Sequence, residues 1–192
     1  MKRLYIIGGC NGAGKTTASF NILPEILDCK EFVNADEIAR GLSPFQPESV
    51  SIEAGRIMLN RIEELIKSDT DFAFETTLST RSFVHTINAA RSKGYFVTLI
   101  FLWLDSVQLA KSRVAKRVDE GGHFIEEGVI QRRYYSGLRN LFELYLPIVD
   151  VALIYDNSKV DSLLIAEKTM TGNLIVTDEV KLNIIKRFSN DR

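Results

Sequence analysis

The sequence contains few of the residues that specialised protein classes require. It has only two cysteines, Cys10 and Cys29, and neither lies in a spacing typical of metal ligands. Because two cysteines cannot form the disulfide framework of a small secreted protein, we expect a reducing compartment. The 4 prolines and 12 glycines among 192 residues exclude a low-complexity or collagen-like chain.

An excess of charge of one sign and long apolar runs are also absent. The 24 Lys and Arg residues nearly balance the 25 Asp and Glu residues, so no overall field favours nucleic acid or an anionic membrane. The longest apolar run, residues 96–104, is far shorter than the roughly 20 residues of a membrane-spanning helix. The N-terminal apolar run ends at Gly8, unlike a signal peptide. We therefore expect a cytoplasmic protein that binds neither nucleic acid nor membrane.

Short strands rich in β-branched and aromatic residues alternate with amphipathic helical stretches, a pattern typical of a parallel sheet with crossover helices. The predicted strands are residues 4–7, 32–35, 71–75, 96–104 and 151–155, and the predicted helices are 15–27, 47–67, 81–93, 106–120 and 126–146. Two extended pieces around Thr171 and Gly172 then predict a hairpin, followed by a helix from about Asp178.

These elements predict one α/β domain over residues 1–192, because the length is typical of a single domain. The architecture is expected to be three-layered, α/β/α, around a mainly parallel, five-stranded sheet. A helical lid is predicted at about 113–135, and the hairpin and last helix form an appendage at about 158–192.

The segment between the first strand and the first helix carries the full phosphate-binding-loop (P-loop) pattern, Gly9-x-x-x-x-Gly14-Lys15-Thr16. Such glycines let backbone N–H groups point into one concavity at the positive end of a helix. Lys15 would meet the β- and γ-phosphates, and the Thr16 hydroxyl would bind Mg²⁺. A glycine-rich turn alone explains the glycines but not Lys15-Thr16. The pattern predicts a P-loop NTPase fold with an ATP and Mg²⁺ site built from Gly9, Asn11, Gly12, Ala13, Gly14, Lys15, Thr16 and Thr17.

Polar residues at the carboxyl ends of the second and third strands are candidates for the acceptor site, because open α/β sheets bind ligands at this edge. Asp36 is interpreted as a base or substrate contact, and the alternative is an N-cap of the following helix. Asn34 shares that edge. Glu75, next to Thr76, is interpreted as a contact to magnesium-bound water or a substrate hydroxyl, and the alternative is a structural carboxylate bonded to backbone.

Four further polar residues have mainly structural interpretations. Thr80 is predicted to cap the next helix, and capping is also the simpler role for Asp105, the second candidate for the acidic Mg²⁺ position. His85 is interpreted as a packing or surface residue. His123, beside Gly122, is interpreted either as a phosphate contact or as a turn residue.

The two predicted helices that flank the Gly121-Gly122 pair carry a set of arginines. They are Arg113, Arg117, Arg132 and Arg133. The first two are four residues apart and share a helix face, whereas the last two are about 100° apart, so only one of those is expected to face the cleft. Two helices hinged on glycines could close over a nucleotide, with arginines neutralising the transferred charge. The alternative is a solvated face paired with nearby carboxylates.

Several segments together resemble the zeta-toxin-like family of phosphate-loop kinases, specifically its short, stand-alone branch. They are GGCNGAGKTT, VNADEIARGLSP, FAFETTLSTRSF, GYFVTLIFLWL, RVAKRVDEGGHFI, IQRRY and LRNLFELYLPIVD. The resemblance runs from Leu4 to about Asn157. It implies a nucleoside-kinase-like sheet with a helical lid, ATP with Mg²⁺ as phosphoryl donor, a hydroxyl of UDP-N-acetylglucosamine as acceptor, and a possible antitoxin protein as partner.

The resemblance also implies roles for individual residues. Catalytic roles fall on Lys15, Asp36 and Arg117, and nucleotide contacts fall on Arg117 and on Arg132 or Arg133. Substrate contacts fall on Glu75 and Thr77, which join Asn34 and Asp36 as predicted substrate-binding residues.

One position departs from the family pattern. Ser79 stands where the toxins place a substrate-contacting arginine, with Arg81 two residues on. The kinase prediction does not depend on that position, but the sugar-nucleotide substrate does. A kinase of another small hydroxylated metabolite and a P-loop ATPase switch acting on a macromolecular partner remain the alternatives.

We expect Lys15→Ala to weaken both ATP binding and phosphoryl transfer by at least about tenfold, because hydrogen bonds from a charged donor contribute roughly 1.5–3 kcal/mol each. Calorimetry with Mg·ATP measures the binding. If the unsubstituted protein releases no heat of association, the nucleotide site itself is wrongly assigned.

Overall fold

The computed structural model describes residues 1–122 and 124–190, so His123 lies outside the described residues. Seven strands within these residues form one sheet in the order β2-β3-β1-β4-β5-β6-β7. The strands are β1 (Lys2–Gly8), β2 (Glu31–Val33), β3 (Phe72–Thr76), β4 (Tyr95–Trp103), β5 (Val151–Asp156), β6 (Leu163–Lys168) and β7 (Leu174–Val176). The helices are α1 (Lys15–Ile22), α2 (Ala35–Leu42), α3 (Ser51–Lys67), α4 (Ser82–Ser92), α5 (Val107–Asp119), α6 (Glu127–Asn140) and α7 (Glu179–Asn190).

The predicted α/β class with a mainly parallel sheet is confirmed, but the strand count of five is wrong. β1 to β5 run parallel, and the C-terminal hairpin β6–β7 continues the same sheet in antiparallel orientation beside β5. The physical reason is the outer edge of β5, whose N–H and C=O groups would otherwise be unpaired. The appendage predicted at about 158–192 therefore completes the sheet and adds α7.

Burial along the central strands indicates helices on both faces of the sheet. Consecutive residues of β1 from Leu4 to Gly8 are all buried, although neighbouring side chains of a strand point to opposite faces. The last five residues of β4 are buried in the same way. A strand covered on both sides is typical of a parallel sheet between two helical layers, which gives the three-layer architecture.

Two predicted helices end earlier than expected. α1 ends at Ile22 rather than near residue 27. Leu23 still has helical backbone angles, but Pro24 has no N–H with which to continue the helical hydrogen bonds. The predicted helix 126–146 is α6 followed by a π-helical turn (Leu141–Tyr145) and a 3₁₀ turn (Leu146–Ile148) that contains Pro147. Proline lacks the N–H that a continuing α-helix needs at this point.

The region predicted as a lid comprises the last part of α5, the connection, and the first part of α6. α5 ends in a Schellman motif, in which Gly122 N–H donates to Arg117 O at 2.7 Å and Gly121 N–H donates to Val118 O at 2.9 Å. A Cβ atom at Gly122 would lie 2.6 Å from that same Arg117 oxygen. The glycine pair therefore fixes where α5 ends and its chain turns toward α6.

Strand register brings the loops that follow β1, β3 and β4 to one edge of the sheet. Gly8 is opposite Thr76 on one side and opposite Phe101 on the other. α6 reaches the same edge, because Asn140 donates to Leu78 O at 2.7 Å and a Cβ at Gly137 would lie 2.5 Å from Thr77 O. The fold thus assembles the candidate site from the carboxyl ends of parallel strands and from one face of α6.

We expect Gly137→Ala to lower the free energy of unfolding by about 1–3 kcal/mol, because the added methyl group must push α6 away from a backbone oxygen. Gly41→Ala is the matched control: it also lies in a helix, nothing lies within 4 Å of its Cβ position, and alanine favours helices. Urea unfolding measures both variants. Equal stability of the two would contradict the close approach.

Candidate nucleotide and acceptor site

The loop between β1 and α1 packs so closely against neighbouring backbone that glycine is required. A Cβ atom at Gly9 would lie 2.4 Å from Leu102 O, and one at Gly12 would lie 2.8 Å from Ala110 O. Gly12 and Gly14 have φ angles of +79° and +83°, a region that L side chains rarely adopt. The glycines of the sequence motif therefore hold the loop against β4 and α5.

A cavity of about 180 Å³, called here the phosphate cavity, lies over this loop at the start of α1. It is lined by Asn11, Gly12, Gly14, Lys15, Thr16, Thr17, Asp36, Glu75, Arg113 and Arg117. The first N–H groups of a helix have no partner within that helix, and the helix dipole adds positive potential, so this end of α1 suits an anion. Two predicted loop residues, Gly9 and Ala13, are buried behind the cavity surface instead.

Glu75, the predicted strand-end carboxylate, is the centre of a buried polar cluster. Its Oε2 accepts hydrogen bonds from Thr16 Oγ1 at 2.8 Å and from Asn34 Nδ2 at 2.9 Å. Its Oε1 lies 3.4 Å from Lys15 Nζ, which also donates to Cys10 O at 3.0 Å. The side chains of Lys15 and Glu75 are only 6% and 9% exposed, so each charge depends on the other. The carboxylate thus bonds side chains, not the nearby backbone.

Asn34 and Asp36 share the start of α2 but differ in function there. Asn34 caps the helix, since its Oδ1 accepts the N–H of Asp36 at 2.8 Å. The alternative interpretation of Asp36 as the cap is therefore wrong. Asp36 is the second residue of α2, and its side chain is left to line the phosphate cavity.

A second cavity of about 640 Å³, called here the acceptor cavity, lies beside the phosphate cavity. Its charged and amide-bearing lining residues are Asn11, Lys15, Asn34, Asp36, Arg56, Glu75, Arg132 and Arg133. Hydroxyl groups of Thr77 and Ser79, hydrogen-bonded to each other at 2.8 Å, form another part of the wall. Apolar side chains of Ile52, Met58, Leu59 and Phe83 complete it.

The two cavities share part of their lining. Asn11, Lys15, Asp36 and Glu75 line both. A phosphate bound over the loop and a molecule in the acceptor cavity would meet at these four side chains. This shared lining is the geometry that a phosphoryl donor and its acceptor require.

The predicted arginines divide between the two cavities. Arg117 lines the phosphate cavity, whereas Arg132 and Arg133 both line the acceptor cavity, so the expectation that only one of that pair faces the cleft is wrong. The acceptor cavity is wide enough to receive neighbouring positions of α6. Arg133 Nη1 donates to Asn11 Oδ1 at 3.3 Å. Burial lowers the pKa of Arg133, and Arg132 adds to this, while the nearby Asp36 carboxylate opposes it.

Arg113 also lines the phosphate cavity, but its guanidinium group is engaged elsewhere. Nη1 donates to Asn157 O and Nη2 donates to Ser158 O, both at 2.9 Å. These bonds tie α5 to the chain after β5. Arg113 therefore has a structural role at the side of the cavity.

Two predicted helix caps are wrong. Ser106, not Asp105, caps α5: the helix begins at Val107, and the Ser106 hydroxyl accepts the N–H of Leu109 at 3.2 Å. Thr80 bonds the hydroxyl of Ser82 at 2.8 Å, and no side chain caps α4. In the described part of the chain, Arg81 lines neither cavity, whereas Ser79 lines the acceptor cavity.

Cys10 lies inside the loop but is buried against β4 and α6. Burial raises the pKa of its thiol to about 11. A thiol with that pKa is protonated at neutral pH and is a poor nucleophile. The cysteine therefore acts as a small apolar filler.

Sequence reasoning missed two residues that belong to the site. Arg56 of α3 lines the acceptor cavity, although a helical pattern alone gives no reason to select it. Asn157 Nδ2 donates to Ala13 O at 2.7 Å and so contacts the phosphate-binding loop across 144 residues of chain. Its position just after β5, at the ligand edge of the sheet, was the available signal.

Metal-ligand clusters and membrane-spanning helices are absent from the described residues. Among residues 1–122 and 124–190, no three His, Cys, Asp or Glu side chains are grouped as ligands for a metal ion. In the same residues, no helix has the length and hydropathy needed to cross a membrane.

Comparison with protein families gives a match over most of the chain. The family model described as Zeta toxin matches residues 1–169. A protein of Haemophilus influenzae, described as uncharacterized, is 34% identical over 128 residues, which cover 66% of this chain and 88% of that relative.

Solved structures resemble this fold at low sequence identity. A chain of the AvrRxo1-ORF1:AvrRxo1-ORF2 complex with sulphate ions superposes with a TM-score of 0.78 at 16% identity, over 96% of this chain and 63% of that one. The same complex with ATP gives 0.74 at 16% identity, over 98% and 64%. A chain of the PezAT toxin–antitoxin system of Streptococcus pneumoniae gives 0.66 at 16% identity, over 98% and 84%. The predicted P-loop kinase fold is thereby confirmed, and the chain spans less than two thirds of the AvrRxo1 chain.

We expect Glu75→Gln to lower the free energy of unfolding by about 2–4 kcal/mol, because it leaves the charge of Lys15 buried and turns one amide hydrogen toward another donor. Glu64→Gln is the matched control, since Glu64 is 67% exposed and pairs with Arg61 on the surface of α3. That substitution should change stability by less than about 0.5 kcal/mol. Urea unfolding compares the two, and equal effects would contradict the central role of Glu75.

Proposed function

The chain belongs to the Zeta toxin family, and on this premise we propose that it is an ATP-dependent phosphotransferase acting on a hydroxyl group of a small molecule. The observation that supports this most directly is the pair of cavities that share Asn11, Lys15, Asp36 and Glu75. One cavity has the amides and lysine that hold phosphates. The other has the size of a small-molecule site and a carboxylate at the junction.

ATP and Mg²⁺ fit the residues of the phosphate cavity. Gly12 and Gly14 let the loop backbone line the cavity at the start of α1, and Lys15 supplies a positive charge. The hydroxyl of Thr16 would hold Mg²⁺, with the Glu75 carboxylate next to it to accept hydrogen bonds from its bound water. When bound, ATP supplies the phosphoryl group, and Mg²⁺ neutralises part of its charge. The neighbouring complex solved with ATP supports this choice of donor.

In this proposal Asp36 positions the acceptor hydroxyl and accepts its proton. Asp36 lines both cavities, and its side chain is not used as a helix cap. Its carboxylate also lies close to Arg133, because it raises the pKa of that guanidinium against the effect of burial. Arg133 and Arg117 stabilise negative charge on the group in transfer, and Arg132 holds the acceptor from α6. Asn34 and Thr77 complete the substrate contacts.

The acceptor that best suits the larger cavity is a sugar nucleotide such as UDP-N-acetylglucosamine. A volume of about 640 Å³ is within the range of small-molecule sites. Arg56 and Arg132 offer charges for a diphosphate, and the hydroxyls of Thr77 and Ser79 suit a sugar. Ser79 lacks the positive charge of the arginine that the toxins place at this position. Arg56 on α3 supplies a positive charge from another wall of the cavity. Another small hydroxylated metabolite is the alternative acceptor.

An antitoxin protein is the proposed partner, in a cytoplasmic setting. The PezAT structure is that of a toxin–antitoxin system, and AvrRxo1-ORF1 is solved with AvrRxo1-ORF2. Both neighbours are therefore described together with a second protein or as part of a toxin–antitoxin system. Occlusion of the phosphate cavity by such a partner would prevent ATP binding.

Incubation of the purified protein with labelled ATP and a panel of sugar nucleotides, nucleosides and sugars tests the proposal. We expect label to enter UDP-N-acetylglucosamine, and transfer to a different small molecule would select the alternative acceptor. ATP hydrolysis that is stimulated by a macromolecule and labels no small molecule would instead indicate the switch function.

We expect Asp36→Asn to lower the transfer rate at least about 100-fold while ATP affinity stays nearly unchanged, since general base catalysis typically contributes 10²–10⁴-fold. Glu37→Gln, on the same helix but paired with Arg40 at the surface, is the control and should keep full activity. Rate measurements at saturating ATP compare the two. Full transfer activity in Asp36→Asn would show that another group is the base.

A further inference from the structure

We propose that Asn157 is a positioning residue that holds the Ala13–Gly14 peptide group in the orientation required for phosphate binding. The inference rests on the proposed nucleotide-binding function. Asn157 belongs to the segment after β5, and its Nδ2 donates to Ala13 O at 2.7 Å. A Cβ atom at Gly14 would lie 2.8 Å from the same Nδ2, so the two groups are in direct contact.

The geometry of the peptide group connects this bond to the phosphate cavity. The described chain has no cis peptide bonds, so the C=O of Ala13 and the N–H of Gly14 point in opposite directions. Because Ala13 O is directed at Asn157, Gly14 N–H is directed away from Asn157, on the side of the cavity that Gly14 lines. A reversed peptide group would present a carbonyl oxygen there, which repels an anion.

The Ala13–Gly14 peptide group could rotate to the opposite orientation if no contact held its C=O. Gly14 has φ +83°, and glycine adopts positive and negative φ about equally well. Gly14 also precedes the first residue of α1, so the regular hydrogen bonds of the helix do not fix its own N–H. A side-chain donor to Ala13 O is therefore the contact that selects one orientation.

Each polar group of Asn157 has a hydrogen-bond partner. Its N–H donates to Trp103 O at 2.8 Å, and its carbonyl accepts Arg113 Nη1 at 2.9 Å. The hydroxyl of Ser162 donates to Oδ1, which leaves Nδ2 as the atom that faces Ala13. The amide is therefore held as a donor directed at Ala13 O.

The Asp156 carboxylate anchors the same segment to the C-terminal helix. It accepts the N–H of Ser158 at 2.9 Å, and Lys181 Nζ of α7 lies 2.9 Å from its other oxygen. Asp156 is buried, and its hydrogen bonds to Ser158 and Lys181 together lower its pKa against the opposing effect of burial. Asp156, Ser158 and Lys181, which do not line the phosphate cavity, thus help to set the position of Asn157.

The test uses Asn157→Asp and Asn157→Ala in the full chain. The aspartate has nearly the same shape but places an acceptor against the Ala13 carbonyl, and the alanine removes the donor. We expect the affinity for Mg·ATP to fall at least about tenfold in Asn157→Asp, equal to about 1.4 kcal/mol, and several-fold in Asn157→Ala. The KM for ATP should rise while kcat at saturating ATP changes little, because the amide acts on binding.

Tyr95→Phe is the matched control. Tyr95 is the first residue of β4, at the opposite end of the sheet, and its hydroxyl donates to Leu65 O and Thr70 O. Like Asn157→Ala, the Tyr95→Phe substitution therefore removes a side-chain donor to backbone carbonyls, but it does not affect the phosphate-binding loop. Its Tm should fall while its ATP affinity stays unchanged.

The outcomes separate this inference from the proposed function. If the unsubstituted protein does not bind Mg·ATP in calorimetry, the proposed function fails. If it binds and both Asn157 variants keep its affinity, the inference is wrong. A crystal structure of Asn157→Asp adds a direct readout: a reversed Ala13–Gly14 peptide is expected, and an unchanged orientation together with unchanged affinity in Asn157→Ala would overturn the inference.

Discussion

The buried contact between the Glu75 carboxylate and the side chains of Lys15, Thr16 and Asn34 is the interaction on which the candidate site depends. These residues lie on β3, at the start of α1, and between β2 and α2. One carboxylate with two oxygens satisfies three donors from those elements, so it fixes the elements relative to one another. Because a buried charge without its partner is costly, the cluster holds the site in register before any ligand is present.

The same edge of the sheet is made compact by backbone contacts that leave no space for side chains. The loop glycines Gly9 and Gly12 touch β4 and α5, and Gly137 brings α6 against the chain after β3. Asn140 and Tyr145 then donate to carbonyl oxygens of that chain, at Leu78 and Thr80. As a result, α6 is held over the acceptor cavity by backbone packing and by side-chain donors together. Arg132 and Arg133 reach the cavity because the helix that carries them has this fixed position.

The sequence was sufficient for the parts of the fold that short-range rules determine. Strand and helix order follows from hydrophobic periodicity, and the phosphate-binding loop follows from residue spacing that few other structures require. The count of seven strands did not follow, because the sequence predicts the C-terminal hairpin but not whether it pairs with the outer edge of β5. The predicted cap Asp105 was wrong for a related reason: Asp105 and Ser106 are both good caps by residue type, and only the backbone path decides which is used.

The residues that bridge distant parts of the chain were the hardest to predict. Arg113 and Arg117 are equivalent by helix position, yet Arg113 is drawn to the carbonyls of Asn157 and Ser158. Arg56 lies on a helix whose pattern is that of an ordinary amphipathic surface helix. In each case the role of the arginine depends on which distant residues the fold places next to its side chain, and the local sequence does not contain that information.

The charges that the two cavities share also limit how ligands can bind. A phosphate group over the loop would lie close to the Glu75 carboxylate, and Lys15 is a single positive charge already paired with it. Two negative groups around one ammonium group repel each other strongly at low dielectric. A divalent cation on the Thr16 hydroxyl, next to Glu75, would offset this repulsion, and Thr16 is placed there by its hydrogen bond to that carboxylate. Under the proposed function, the polar cluster that holds the site together would therefore favour a nucleotide bound together with a cation over a nucleotide bound alone.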